Sequence, residues 1–376
     1  MKQTLLAGLL ATTLIAGPAL AQHEHHDHHH GHNHGSSHGI DIHGGHDGHN
    51  HITAPIGVMG SHLHPKREWM VSYRYMRMEM DELRDDTDDL SPEDVVGNAA
   101  AFPNPNAGPP GFRVTPTDMS TDMHMLGLMY GATDWLTLMA MGHYLKRDMN
   151  HITFAGAAGT TRLGEFETTS SGWGDTSVGG LIKLYEDATH SIHANAMLSI
   201  PTGSIKETDD VLAPTGARPT LRLPYAMQLG SGTYDAMPGL TYNGSQNGWS
   251  WGAQYMANIR LEDENDQGYS LGDKHMLTAW GGTQLTDWLG GSLRLTAETL
   301  DSIDGFDPLI TAPVTTADPD NYGGDFISAS LGFNITPPKL EGTNIAAEFT
   351  APLHQDLNGP QLKREYAFTL GLQYSF

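Results

Sequence analysis

Histidine and methionine are the two residue types of this chain whose number and spacing suggest chemistry. Fifteen of the 22 histidines fall within residues 23–64, beginning with His23, His25, His26, His28, His29, His30, His32 and His34 and interleaved with Gly, Asp and Asn. Neutral imidazole is a borderline ligand for Cu(II), Zn(II) and Ni(II), so such an arm offers one ion many ligand combinations, which gives affinity without selectivity. Glu24, Asp27, Asp41 and Asp47 add negative charge that favours a cation. The ligand must be deprotonated, so binding should weaken as pH falls through the histidine range near ~6.5. The plain alternative is a solvated low-complexity spacer. A catalytic metal centre is not expected, because a Gly-rich arm cannot hold a fixed second shell.

Twelve of the 18 methionines lie between Met59 and Met149. Met76, Met78 and Met80 alternate with Trp69, Val71, Tyr73 and Tyr75 and share their face with Met70, Ser72 and Arg74. Met123, Met125 and Met129 alternate with Leu126, Leu128 and Tyr130. Met139, Met141 and His143 share a face with Thr137 and Arg147, opposite Leu136, Leu138, Ala140 and Tyr144. Methionine thus accompanies polar residues, opposite the aliphatic face. A soft thioether track favours Cu(I), and by the same softness Ag(I), over hard cations. A flexible filler of a crowded interior is the bland alternative.

The elements that must position these faces are strands. From residue 65 to Phe376 the pattern has period two, broken by Gly, Asn, Asp and Pro clusters. Twelve segments emerge, near 66–80, 119–131, 135–147, 172–185, 191–201, 225–242, 249–261, 274–285, 288–299, 324–335, 343–353 and 364–376. Short and long connections alternate along them, as in an outer-membrane barrel with short turns at one end and long loops at the other. In the last segment Tyr366, Phe368, Leu370, Leu372, Tyr374 and Phe376 face one way, and Glu365, Thr369, Gln373 and Ser375 the other, which fits a lipid-facing wall ending in an aromatic girdle. The fold expected is all-β: a twelve-stranded antiparallel transmembrane outer-membrane β-barrel over 65–376, behind a disordered His-rich arm over 22–64. Residues 1–21 read as a signal peptide, with Lys2, an apolar stretch from Leu5 to Ile15 and Ala19-Leu20-Ala21, and imply export.

Composition excludes several functions. Twenty Lys and Arg against 44 Asp and Glu give a charge of −24, the wrong sign for a nucleic-acid binder. The absence of Cys removes disulfides, thiolate metal sites and cysteine nucleophiles. No nucleophile elbow, phosphate loop or His-Glu-x-x-His site occurs, so an enzyme is not expected.

Three stretches carry a resemblance: Ala54-Pro55-Ile56-Gly57-Val58-Met59-Gly60-Ser61-His62-Leu63-His64 leading into Glu68–Met76, Gly172-Trp173-Gly174-Asp175-Thr176, and Gln228-Leu229-Gly230-Ser231-Gly232-Thr233-Tyr234-Asp235. Together they resemble an outer-membrane transporter-like family associated with the phenol meta-pathway. The Met- and His-rich N-terminal half is similar in composition to outer-membrane copper-resistance protein B. The main expectation is a protein that binds copper, or another soft transition metal, and moves it through a Met-lined lumen. No cofactor is obligatory; Cu(I), Cu(II), Zn or Ni are the ions considered, and outer-membrane lipid is the surrounding partner. Two rivals stand beside it: a channel for small apolar or aromatic molecules, and a membrane-anchored metal-sequestering protein without transport.

Overall fold

The computed structural model describes residues 54–105 and 109–376. The signal-peptide segment and the histidines from His23 to His51 lie outside the described residues.

Alternating sequence becomes a closed antiparallel sheet. Eleven strands form the ring: β1 (Trp69–Asp86), β2 (Val114–Thr133), β3 (Leu136–Phe154), β4 (Thr176–Glu186), β5 (His190–Ile200), β6 (Asp235–Gln246), β7 (Trp249–Arg260), β8 (Lys274–Thr286), β9 (Leu289–Leu300), β10 (Gly324–Ile335) and β11 (Thr343–Ser375). Each pairs with its sequence neighbour, and β11 returns to β1 with Met70 opposite Ser375, so no edge of the ring is left open. Two further strands extend the same sheet outside the ring, Asp88–Leu90 on β1 and Arg162–Trp173 on the upper part of β3, and two short separate hairpin pairs, Thr208–Asp210 with Thr220–Arg222 and Tyr269–Ser270 with Asp304–Gly305, lie in the connections.

The structure differs from the twelve expected segments in four places. The segment 172–185 breaks at Gly174 and Asp175, so Gly172 and Trp173 end the outer strand Arg162–Trp173 and β4 starts at Thr176. Segments 343–353 and 364–376 run as the single 33-residue element β11. Residues 225–234 do not belong to a strand: Tyr225–Met227 form one 3-10 turn and β6 begins only at Asp235. Pro224 has no N–H for a ladder and Gly232 takes φ of 76°, while Tyr225, Met227 and Leu229 are buried under loops instead of facing outward. Finally, β1 to β3 run 18 to 20 residues and absorb parts of the expected long loops.

Tight turns close one end of the ring. Asn247 and Gly248, at φ of 53° and 79°, make the two-residue link favoured between right-twisted strands. The opposite end carries the long connections, including 201–234 and 301–323, and a short capped helix, Pro92–Gly97. The ring's outer face is apolar all round, with Val71, Leu126, Leu138, Leu240, Leu277, Leu293, Leu331 and Leu372 exposed. Trp135, Trp249 and Trp288 lie exposed at the turn end, beside Trp69 and Phe376.

Candidate functional site

The inner face is where the methionines point. In register, Met70 faces Met129 and Met129 faces Met139; Met76 faces Met123; Met80 faces Met119 and Met119 faces Met149; Met125 lies between Arg74 and His143; Met141 faces Gly127. One continuous thioether wall therefore spans β1, β2 and β3, while their outward neighbours Val71, Tyr73, Leu126, Leu128, Leu138 and Tyr144 are exposed.

The two ends of this wall are packed and its middle is not. At the turn end Met70, Met129 and Met139 cluster with Leu63 and Leu181. At the loop end Met80, Met119, Met149 and Met227 cluster with Leu223 and Leu362. Between them Met76, Met78, Met123, Met125, Met141 and His143 are half-buried. Among the described residues no group of three or more His, Asp or Glu is arranged to hold a metal ion.

Residues 54–64, which composition assigns to the arm, lie inside the ring as a plug. The segment runs in turns and bends with one backbone bond of its own, Val58 N to Pro55 O at 2.9 Å, and the wall satisfies its other carbonyls: His193 Nε2 and Asn195 Nδ2 donate to Gly60 O at 2.8 and 3.1 Å, Gln254 Nε2 to Met59 O at 2.8 Å, and Asn243 Nδ2 to Ser61 O at 2.8 Å. Thr137 Oγ1 accepts from His64 N at 2.9 Å. Gly60, at φ of 58°, has no room for a Cβ, which would stand 2.8 Å from Asn195 Nδ2. Gly57 rests directly on the Arg294–Glu348 ion pair. Below the plug, a cavity of about 650 Å³ at the turn end is lined by His62, His64, His190, His193, Glu186 and Asp187. The His64 side chain is 3% exposed, with Glu68 Oε2 3.4 Å from its Nδ1. Burial pulls its pKa below the usual histidine value, and the Glu68 carboxylate opposes that shift.

The loop end is closed by an inward-folded lid. Arg147 donates to the carbonyls of Ala226 and Gln228. Asp175, where the chain breaks between Trp173 and β4, accepts from Gly203 N, Ser231 N and Ser231 Oγ at 2.8 to 2.9 Å. Two motifs far apart in sequence, Gly172–Thr176 and Gln228–Asp235, thus meet at one carboxylate. Tyr225 packs edge-on against Tyr269 and Tyr322 at 4.7 and 5.6 Å. Burial pushes the Tyr225 phenol up to about 12, so it stays un-ionised, and its oxygen accepts from Asp307 N at 3.1 Å. Beside this lid a small apolar pocket is lined by Phe166, Leu212, Leu221, Leu223, Ala312 and Val314.

Away from the methionines the inner face is polar. Asp235 pairs with Arg260, Glu298 with Arg364 at 2.8 Å, and Glu348 with Arg294 at 2.5 Å. Pattern reading found the Met face and Arg74 but missed the carbonyl clamp. Its signal was present in the glycine-rich, β-poor run 55–60, which needs outside hydrogen-bond partners.

No family model matches the sequence, and no curated protein matches it. Among solved structures the chain is similar to an outer membrane channel from Pseudomonas putida F1, with a TM-score of 0.53 and 14% identity over 85% of this chain and 100% of that one. The beta domain of the Bordetella autotransporter BrkA overlaps at a TM-score of 0.44 with 11% identity, covering 83% and 100% of the two chains. A Pseudomonas aeruginosa FadL homologue overlaps at 0.41 with 12% identity, covering 82% and 90%. At these identities the likeness to the Pseudomonas putida channel is one of fold. The phenol meta-pathway resemblance rests on the quoted residues alone.

Proposed function

We propose that this chain is an outer-membrane channel for small, largely apolar molecules, closed at rest by a plug at one end and a lid at the other. One observation carries the reading: the thioether wall is packed against plug and lid at its ends and left half-buried between them, a greasy and adaptable surface. Placement in a membrane is supported by the outer face, since an apolar belt around a whole ring far exceeds the patch a soluble monomer exposes. Aromatic residues at the turn end supply an interfacial girdle, and the fold likeness to an outer membrane channel agrees.

We also read the ring as twelve passes. The first half of β11 pairs with β10 and the second with β1. The halves also bond each other: Asn344 Nδ2 donates to Gln373 Oε1 at 3.3 Å, and Gln355 Nε2 to Arg364 O at 2.9 Å. Gly359, at φ of 74°, lies between them. An even count puts both ends of the barrel on one side.

Copper, zinc or nickel passage along the same wall is the competing expectation. The neighbours of the packed sulfurs are Leu63, Leu181, Leu223 and Leu362, which suit apolar cargo better than an ion with polar outer partners. The test is uptake by cells expressing the full chain in their outer membrane, with toluene and a sugar of similar mass as probes. Raised toluene uptake with unchanged sugar uptake supports the channel. Equal rises indicate a general porin, and no rise in either overturns the reading. Heat-modifiable gel mobility of the membrane fraction checks the barrel.

A further inference from the structure

Resting on the apolar-cargo reading, we infer that the cargo carries a carboxylate and that Arg74 receives it. Every inward carboxylate of the ring wall's ion pairs already has an arginine: Asp235 with Arg260, Glu298 with Arg364, Glu348 with Arg294. Arg74 has none. Among the described residues it forms no ion pair, its buried Nε has no hydrogen-bond partner, and Glu348, the carboxylate acting on it, is held by Arg294. In a chain of charge −24, an unpaired guanidinium on the inner face is a costly feature to keep.

Its position matches an amphipathic ligand. The strand partners of Arg74 are Met125 on one side and Gly371 on the other, and Met76 is next on its own face. Met76 faces Met123, so the cation stands at the foot of the unpacked thioether stretch. Above Gly371 sits Ile56 of the plug: a Cβ on Gly371 would meet Ile56 Cδ1 at 2.6 Å and Arg74 Cγ at 3.6 Å. A small acid with an apolar body would lay that body on Met76, Met123 and Met125 and present its two oxygens to the planar fork, a geometry guanidinium recognises bidentately. Arg147, the other inward arginine without a carboxylate, is occupied with the lid carbonyls of Ala226 and Gln228.

The experiment is calorimetric binding to the purified full chain in detergent, using benzoate and benzyl alcohol, two probes of nearly one shape. Wild type, Arg74→Gln and Arg74→Lys are compared after gel mobility shows each to be folded. Benzoate should bind wild type about tenfold tighter than benzyl alcohol. R74Q should lose that preference by weakening benzoate alone, and R74K should keep part of it. Equal binding of both probes to wild type, or benzoate binding unchanged in R74Q, overturns the carboxylate assignment and leaves the channel reading standing. If wild type binds neither probe, the apolar-cargo reading fails, and this inference with it.

Discussion

Removing the wall donors that hold the plug should open the turn end. Asn195, Asn243 and Gln254 each give one hydrogen bond to a plug carbonyl, at 3.1, 2.8 and 2.8 Å. A net contribution of about 1 kcal/mol per bond makes the triple alanine variant weaken docking by about 3 kcal/mol. Since 1.4 kcal/mol is tenfold, the undocked population rises about a hundredfold. His193 still holds Gly60 O, so the segment stays tethered. Thr278→Val is the control that disturbs the wall away from the clamp, since its hydroxyl bonds Leu295 O and Thr296 Oγ1, each at 3.0 Å. The assay is single-channel recording in planar bilayers, with open probability as the readout. A hundredfold rise in the triple variant beside an unchanged control is expected. Open probability that stays at the wild-type level, or rises equally in the control, would refute the idea that these bonds keep the lumen shut.

Acidification should loosen the same plug. Because burial lowers the folded-state pKa of His64, its contribution to docking is complete above ~6.5 and is lost as pH falls below that value, so conductance should rise from pH 7 to 5 and flatten in His64→Gln. At the other end, Asp175→Ala removes the acceptor of three lid hydrogen bonds and should make the 201–234 connection sensitive to added protease, with the ring intact by circular dichroism. Changing Met76, Met78, Met123, Met125, Met139 and Met141 together to Leu separates the two cargo readings. Toluene uptake should stay within about twofold, since Leu and Met are near-isosteric apolar fillers, whereas Cu(I) passage would be lost.

The last segment shows how much of the wall is local. Tyr366 to Phe376 alternates so regularly that the outward set of Tyr366, Phe368, Leu370, Leu372, Tyr374 and Phe376 is readable without any partner strand; five of the six are exposed and Phe368 is half-buried. The same holds for Leu126 and Leu128 against Met125 and Met129. Period-two sequence fixes which face a side chain takes, because successive Cβ atoms point to opposite sides of a pleat. Residues 225–234 show where it ends. Tyr225-Ala226-Met227 looks like strand by composition, yet it is a turn whose Tyr225 is covered by Tyr269 and Tyr322 and whose Met227 packs on Met119 and Met149, all residues about 45 to 110 positions away.

The sequence by itself determined the strand class, the alternation of short and long connections, and the inward course of methionine and Arg74. The faces are set by neighbours one or two residues apart, and the connections by where turn-forming residues interrupt that alternation. The tertiary structure alone decided that residues 54–64 lie inside the ring, that Asp175 ties Gly203 to Ser231, and that among the described residues Arg74 has no ion pair while Glu348 goes to Arg294. Those outcomes depend on which hydrogen-bond donors and charges ring closure brings together, and no local pattern records the distance between His193 and Gly60.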